Sequence, residues 1–408
     1  MKKQLLSILT AGCLMAAMVP AAFAADTSMS EEAFRDAVAS GTVNMTGDVT
    51  LTSTVRVESG VTINGNGFSV NGSVSDGLIC IDTNEDVTIN GLDINGAVGI
   101  DVVSESPNIS IYSSEINASS RGIRFYDEDT EDNELAVFSG FTLTLDNTTI
   151  QNTLKPADKT YENWSHQGDS RGISLWNMEG SIINIDNGSK ILGFGYPINM
   201  AGDKYTNGVL DTMDSTINVT NSDIWGWCAM NIWTIDTTFN IKSSHLKGFV
   251  ETDNAWNSFA TIVLNEGIYG DMTPDDEANN DKANVFNIAG GSVTSNSVSN
   301  DAQVYHCLFR LDKEFMSEFN FARANRQKVA LTCADPFSAF LITYDGMEIP
   351  DFENWAETKL TGAAENTTYN WGAIAPGVDA PIPGVLSIQS VDTVTLDGGM
   401  GHEGGLSQ

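Results

Sequence analysis

Basic residues are scarce in this chain. Its 20 Lys and Arg stand against 54 Asp and Glu, a net charge of −34 over 408 residues. Such a surface repels phosphates, which counts against nucleic acid as a partner, and it draws in an acidic polymer only through calcium or a local basic patch. Histidine is nearly missing: His166, His245, His306 and His402 are the four copies, with no spacing that links them into a metal site. Of five cysteines, Cys80, Cys228, Cys307 and Cys333 lie beyond the first 24 residues, and no two are spaced as a zinc-binding pair. They read as buried thiols, with an approach of Cys307 to Cys333 as the other option. Long apolar runs are absent after the N-terminal segment, so no later stretch reaches the ~18–20 residues of a membrane-spanning helix.

That first segment, residues 1–24, has the three parts of an export signal. Lys2 and Lys3 form a charged start, Leu5 to Val19 an apolar run, and Ala22-Phe-Ala24 a small-residue cleavage site. Its removal takes two lysines, leaving 18 basic against 54 acidic residues, or −36. The expected localisation is secreted or extracellular, with association at a cell surface left open.

What the chain has in abundance is one repeated phrase. Two aliphatics flank a polar residue, a short Asn/Gly/Ser/Asp turn follows, then another aliphatic. It begins at Val61, Val87, Ile109, Leu143, Ile183, Ile217, Phe239 and Phe286, at intervals of 22 to 47 residues. Self-similarity at this period marks a solenoid, in which the flanking aliphatics stack inward and the turn residues make the corners. The shortest intervals fit one bare rung, and the longer ones need inserted loops. Upstream, Ser30 to Gly41 reads as a short amphipathic helix, capped by Ser28 or Ser30 and ended by Gly41, placed to cover the open end of the first rung.

A second strand recurs between copies of the phrase: Gly99-Ile-Asp-Val, Gly122-Ile-Arg-Phe-Tyr, Gly172-Ile-Ser-Leu-Trp, Pro197-Ile-Asn-Met and Met230-Asn-Ile-Trp. Period two sends Ile100, Ile123, Ile173 and Ile198 inward, and turns Asp101, Arg124, Tyr126, Ser174, Trp176, Asn199, Asn231 and Trp233 outward. Long insertions at 127–140, 151–170, 201–214, 247–259 and 265–283 flank this strand, so the face is expected to be a loop-bordered groove. Tyr126, Trp176 and Trp233, with Trp225, Trp227, Trp164 or Trp256 on loops, supply rings that stack on sugars. Arg124, Ser174, Asn199 and Asn231 supply hydrogen bonds to hydroxyls. Few charges there suit a neutral or weakly charged polysaccharide, while the same rings packed beneath loops would need no ligand.

The phrases Asp48-Val-Thr-Leu-Thr-Ser-Thr-Val55 and Gly60-Val-Thr-Ile-Asn-Gly-Asn-Gly-Phe-Ser-Val70 resemble the first turns of the pectin-lyase-like superfamily, and the likeness covers residues 30 to about 310. It implies a right-handed parallel β-helix. It leaves activity open, since that superfamily holds lyases, hydrolases, esterases, adhesins and tailspikes. Its calcium-dependent lyases use carboxylates for the ion and a basic residue to take the proton. Asp101 and Arg124 on neighbouring rungs, with Asp127 beyond, fit that thinly and fit an exposed ion pair better. His166, Asp169 and Arg171 form the densest reactive group, yet no second motif positions His166. The Asn-Thr-Asp, Gly-His-Gly and Arg-Ile-Lys motifs of polygalacturonase-like hydrolases do not occur. The acidic loops 127–134 and 274–281 offer oxygens for Ca2+ without the ordered spacing of a calcium-binding loop, and read as solvated.

The expectation is an all-β chain: a signal peptide at 1–24, a capping helix at 25–40, a right-handed parallel β-helix at 41–312, and at 313–408 an irregular C-terminal cap with a tail broken by Pro350, Pro376, Pro381 and Pro383. The expected function is carbohydrate binding without catalysis, with no resident cofactor or metal. A divergent lyase or glycoside hydrolase using Asp101, Arg124, His166, Asp169 and Arg171 is the alternative, and a purely structural surface protein the third reading.

Overall fold

The structure is a computed structural model and describes residues 28–126, 137–153, 170–202, 205–206, 209–210, 213–249, 260–265, 283–295, 307–312, 317–327, 329–333, 340–342, 358–361, 367–371, 384–388 and 393–396. It is an all-β parallel solenoid opened by one helix.

The helix, α1 (Glu31–Ala39), forms where the sequence offers a cap and one apolar stripe. Ser30 Oγ accepts from the Ala33 N–H at 3.1 Å, and Glu31 and Glu32 lie in the first turn, where the helix dipole favours acid. Phe34 and Val38, four apart, are buried over the first rung. Arg35 donates to Glu31 Oε1 within the helix at 2.6 Å and ties the helix to the loop below it through the Thr54 carbonyl at 2.9 Å.

The repeated phrase builds one eleven-stranded parallel sheet, from Thr42–Asn44 to Leu360–Thr361. Its register aligns Val61, Val87, Ile109, Leu143, Ile183, Ile217, Phe239, Phe286 and Phe319 in a single inward column. At the C-terminal end this column becomes aromatic, and the rings of Phe239, Phe286 and Phe319 stack at 4.4 and 4.9 Å. The residue after seven of these strands takes the left-handed conformation: Gly91, Ser113, Asn147, Asn187, Asn221, Ser243 and Gly290. Five of the seven are Gly or Asn, the residues that tolerate positive φ, and the other two are Ser. Just inside this corner, Ser114, Thr148, Ser189, Ser222 and Ser244 are buried, each hydroxyl serving backbone groups of its own or a neighbouring rung.

Two further parallel strand stacks complete the coil. One contains Ser69–Gly72, Thr149–Asn152, Lys190–Phe194, Asp223–Gly226 and His245–Gly248. The other contains Gly77–Ile81, Arg171–Trp176, Tyr196–Ala201, Met230–Trp233 and Ala260–Asn265. Asp93–Val102 and Glu115–Phe125 run through both. The glycine that opens three of the companion strands, Gly99, Gly122 and Gly172, has a steric cause. A Cβ on Gly122 would stand 2.3 Å from Ile150 Cγ2, and one on Gly172 2.3 Å from Ile191 Cγ2.

The parallel register does not stop at residue 312. Glu318–Ala322 pairs with Val285–Ala289, and Phe340–Ile342 pairs with Cys307–Asp312. Segment 318–322, read from sequence as part of an irregular C-terminal cap, thus carries another copy of the phrase, Phe319-Asn-Phe321. Antiparallel pairings follow, Val329–Cys333 with Thr393–Leu396 and Thr367–Trp371 with Gly384–Ile388. Among the described residues no helix is long and apolar enough to cross a membrane.

Candidate polysaccharide-binding face

The companion strands set one outward row in strict register: Cys80, Asp101, Arg124, Ser174, Asn199, Asn231, Val263 and Arg310. Between the row members the side chains point into the coil, and Ile100, Ile123, Ile173, Ile198, Met230 and Ile232 are fully buried. Two residues further along the strands lie the rings of Tyr126, Trp176 and Trp233, all half-buried. A polar row therefore runs beside an aromatic one. The Tyr126 and Trp176 rings meet edge to face at 6.3 Å, and Trp233 Nε1 donates to Asn231 Oδ1 at 3.3 Å.

The exposed ion pair expected at Asp101 and Arg124 is corrected by the structure. Arg124 Nε donates to Asp101 Oδ1 at 2.7 Å and Nη2 to Oδ2 at 2.8 Å, while the Gly77 N–H reaches Oδ2 at 2.6 Å. Asp101 is only 5% exposed. The bare backbone of Gly77 comes close enough to cover the carboxylate, and Arg124 lies over the Tyr126 ring at 5.6 Å. The bond to Asp101 raises the Arg124 pKa against the opposing effect of burial, so the pair is charge-matched within itself.

Ser174 and Asn199 hold the outward positions expected of them, yet each is 1% exposed. Asn199 Oδ1 accepts from Asn231 Nδ2 at 2.8 Å. Arg171 is not gathered with Asp101 and Arg124. It is in register with Arg121 and Tyr196, three residues before Ser174, and its guanidinium lies over the Tyr196 ring at 6.0 Å. His166 and Asp169, Trp164 and Trp256, and both acidic loops considered for Ca2+ fall outside the described residues.

A second aromatic group at the neighbouring corner was only partly foreseen. Trp225 lies on a strand, Asp223–Gly226, rather than on a loop, and meets Phe249 edge to face at 5.3 Å. Lys247 Nζ sits 4.8 Å from the Phe249 ring centre, and Tyr196 meets Trp227 at 5.6 Å. Tyr196 was findable, since it stands one residue before Pro197 in a companion strand. Lys247 and Phe249 were findable too, since they follow Phe239 at the same offsets at which Trp225 and Trp227 follow Ile217, and Lys247 is in register with Trp225. His245 opens the strand His245–Gly248, and its Nδ1 lies 2.8 Å from Ser292 Oγ.

Cys80 and Cys228 are buried, as expected of packed thiols. Burial pushes the Cys228 thiol up to about 12, so it packs beside Met230 and offers no nucleophile at neutral pH. The side chains of Cys307 and Cys333 lie outside the described residues. Among the described residues no three His, Cys, Asp or Glu side chains converge as a metal-ligand set.

Fold and face together define a class: a parallel β-solenoid presenting a polar row beside an aromatic row. Set against known proteins, the chain matches no protein-family model, no curated protein and no solved structure.

Proposed function

We propose that this chain is an exported β-helix protein, of the right-handed kind that the pectin-lyase-like superfamily contains, and that it binds a polysaccharide or surface glycan without cleaving it. One observation carries the reading: Tyr126, Trp176 and Trp233 stand in one outward row beside Ser174, Asn199 and Asn231, with Ala201 on the rung between the two tryptophans. Aromatic faces stack on the C–H side of sugar rings, and of the adjacent polar residues the half-buried Asn231 is placed to meet ring substituents, Ser174 and Asn199 being buried. Binding is favoured over cleavage because Asp101, the carboxylate of this row, has both oxygens engaged by Arg124 and Gly77. Glycoside hydrolysis calls for two opposed carboxylates, and lyase chemistry for a base able to leave its partner. An export signal at residues 1–24 supports the reading, since it would carry the protein to where glycans are.

The test applies the protein lacking residues 1–24 to a panel of immobilised polysaccharides and measures retention and released reducing ends or unsaturated products. Retention of at least one polysaccharide, weakened by Trp176→Ala and Trp233→Ala with no products released, is the expected result. Products abolished by substitution at Arg124 or Arg171 would replace this reading with the enzymatic one, and retention of nothing would end both.

A further inference from the structure

The outward aromatic row has a period of its own. Ser174 is in register with Asn199, and Asn199 with Asn231. The residues two beyond them, Trp176, Ala201 and Trp233, therefore follow one another on three consecutive rungs. Parallel strands lie about 4.8 Å apart, which sets the two indoles about 10 Å apart along the solenoid axis, with only a methyl group between them. Both indoles are half-buried, so each keeps surface to offer. Trp233 is also held in place, since its Nε1–H donates to Asn231 Oδ1 at 3.3 Å, and a platform fixed in advance costs less to use. Tyr126, on the rung before Trp176, does not extend the series. Its ring is turned 72° from the Trp176 ring, edge to face, so it stands as a wall at one end of the row.

That spacing selects among polysaccharides by the geometry of their linkage. A pyranose joined through equatorial bonds at opposite corners of its ring advances the chain by about the length of one rung. Successive rings turn over, and the chain is a flat, straight ribbon. Every second ring then presents the same face at the spacing of Trp176 and Trp233, and the ring between them passes over Ala201. An axial link coils the chain instead, and a link to a nearer corner of the ring curves it, so successive sugars leave the line of the row. We infer that Trp176 and Trp233 are platforms for alternate sugars of a neutral β-1,4-linked polysaccharide lying along the solenoid axis. The inference rests on the glycan-binding function proposed above and names its ligand class. Neutrality follows from charge. Arg124, the cation beside Ser174 in the polar row, is committed to Asp101 through two bonds, and the chain carries a net −34. An acidic polymer would meet a repulsion that a neutral one does not.

The experiment is calorimetric titration of the protein lacking residues 1–24 with disaccharides, trisaccharides and longer members of the β-1,4-linked cello-, xylo- and manno-series. The α-1,4-linked malto-series and the β-1,3-linked laminari-series serve as comparison. Wild type, Trp176→Ala and Trp233→Ala are titrated, and the melting temperature of each is recorded without sugar. A disaccharide reaches one platform and a trisaccharide both, so wild type should bind a β-1,4-linked trisaccharide about tenfold or more tighter than the disaccharide. Each alanine variant should lose that step and hold the trisaccharide no better than the disaccharide, which still finds the remaining indole. Where an alanine variant unfolds, Trp176→Phe or Trp233→Phe takes its place, and the smaller ring should shrink the step without removing it. A step that survives in both variants, or an affinity that ignores chain length, overturns the inference and leaves the glycan reading standing. So does tighter binding of the malto- or laminari-series, or retention of an immobilised polysaccharide with no β-1,4-linked oligosaccharide bound. If no oligosaccharide binds and no polysaccharide is retained, the platforms fall together with the proposed function.

Discussion

Arg124 closes on Asp101 from the next rung, and the two parallel bonds, 2.7 and 2.8 Å, lock a carboxylate that is nearly out of contact with water. Removing the guanidinium leaves that carboxylate buried with only the Gly77 N–H, the costly way to break a pair. Arg124→Ala is expected to destabilise by about 3 kcal/mol, the low end for buried pairs because the arginine side chain keeps 27% exposure. Asp101→Asn retains the Gly77 bond and costs about 1–2 kcal/mol. Urea denaturation followed by far-UV circular dichroism checks both, and a loss below about 1 kcal/mol for Arg124→Ala would mean the pair behaves as an exposed one.

The acidic column on the adjoining stack gives stability a pH dependence. Asp93 is in register with Glu115 on one side and with Ser69, which holds the Asp48 carboxylate, on the other. Burial first, then Glu115 and Asp48, raise the Asp93 pKa above its ordinary value. Asp186 is raised in the same way, by burial and by Asp146, against the lowering bond from Thr220. An acid whose folded pKa is raised holds its proton more tightly folded than unfolded. The penalty for ionising it is absent below the unfolded pKa, about 3.9, and grows as pH rises through the folded pKa. Asp93→Asn should therefore raise the urea midpoint at neutral pH, on the order of 0.5 kcal/mol after solvent screening. At pH 3 it should leave the midpoint unchanged. An equal gain at both pH values would point to packing instead of charge.

How much of this was readable beforehand depended on whether the information was periodic. The inward columns and the corners were legible because every rung repeats them: Ile63, Ile89 and Ile111 stack as the phrase demands, and the left-handed Asn147, Asn187 and Asn221 stand in its turn. The companion row was legible as far as direction, since period two alone sends Ser174 and Asn199 outward. Their burial was not, because it depends on what covers the face and not on the alternation along the strand. The closure of Arg124 onto Asp101 was hidden for a related reason. It requires a backbone with no Cβ at Gly77, a residue that belongs to neither repeated phrase.

Gly122, at the head of its companion strand, should be irreplaceable. A methyl on Gly122 would lie 2.3 Å from Ile150 Cγ2 and 2.5 Å from the Gly172 carbonyl oxygen, and that oxygen belongs to the backbone of the next rung. Neither neighbour can withdraw without parting strands, so Gly122→Ala is expected to cost about 3 kcal/mol or more, the upper range for overpacking. Gly67 makes the control. Its φ is +79° but nothing lies within 4 Å of a Cβ built there. Gly67→Asn should cost only the backbone preference, about 1 kcal/mol. Thermal melts of the two variants side by side separate crowding from dihedral strain, and similar losses would refute the crowding account.

The amide column beside the repeated phrase makes its own prediction, because each member has two roles. Asn240 donates through Nδ2 to Asn218 Oδ1 and accepts through Oδ1 from Asn287 Nδ2, both at 2.9 Å. Asn240→Asp keeps the shape and the bond accepted from Asn287, but it turns the other contact into two oxygens facing each other. Asn240→Ala removes both bonds and leaves neighbours that are only half-buried and can turn to water. The isosteric change is therefore expected to be the worse of the two at neutral pH, by about 1 kcal/mol. The order should narrow or reverse below about pH 4, where a protonated Asp regains a donor for Asn218. Urea midpoints of the two variants at neutral and acid pH test this, and a pH-independent order with Asn240→Ala the weaker would show that the column is held by packing rather than by the direction of its amides.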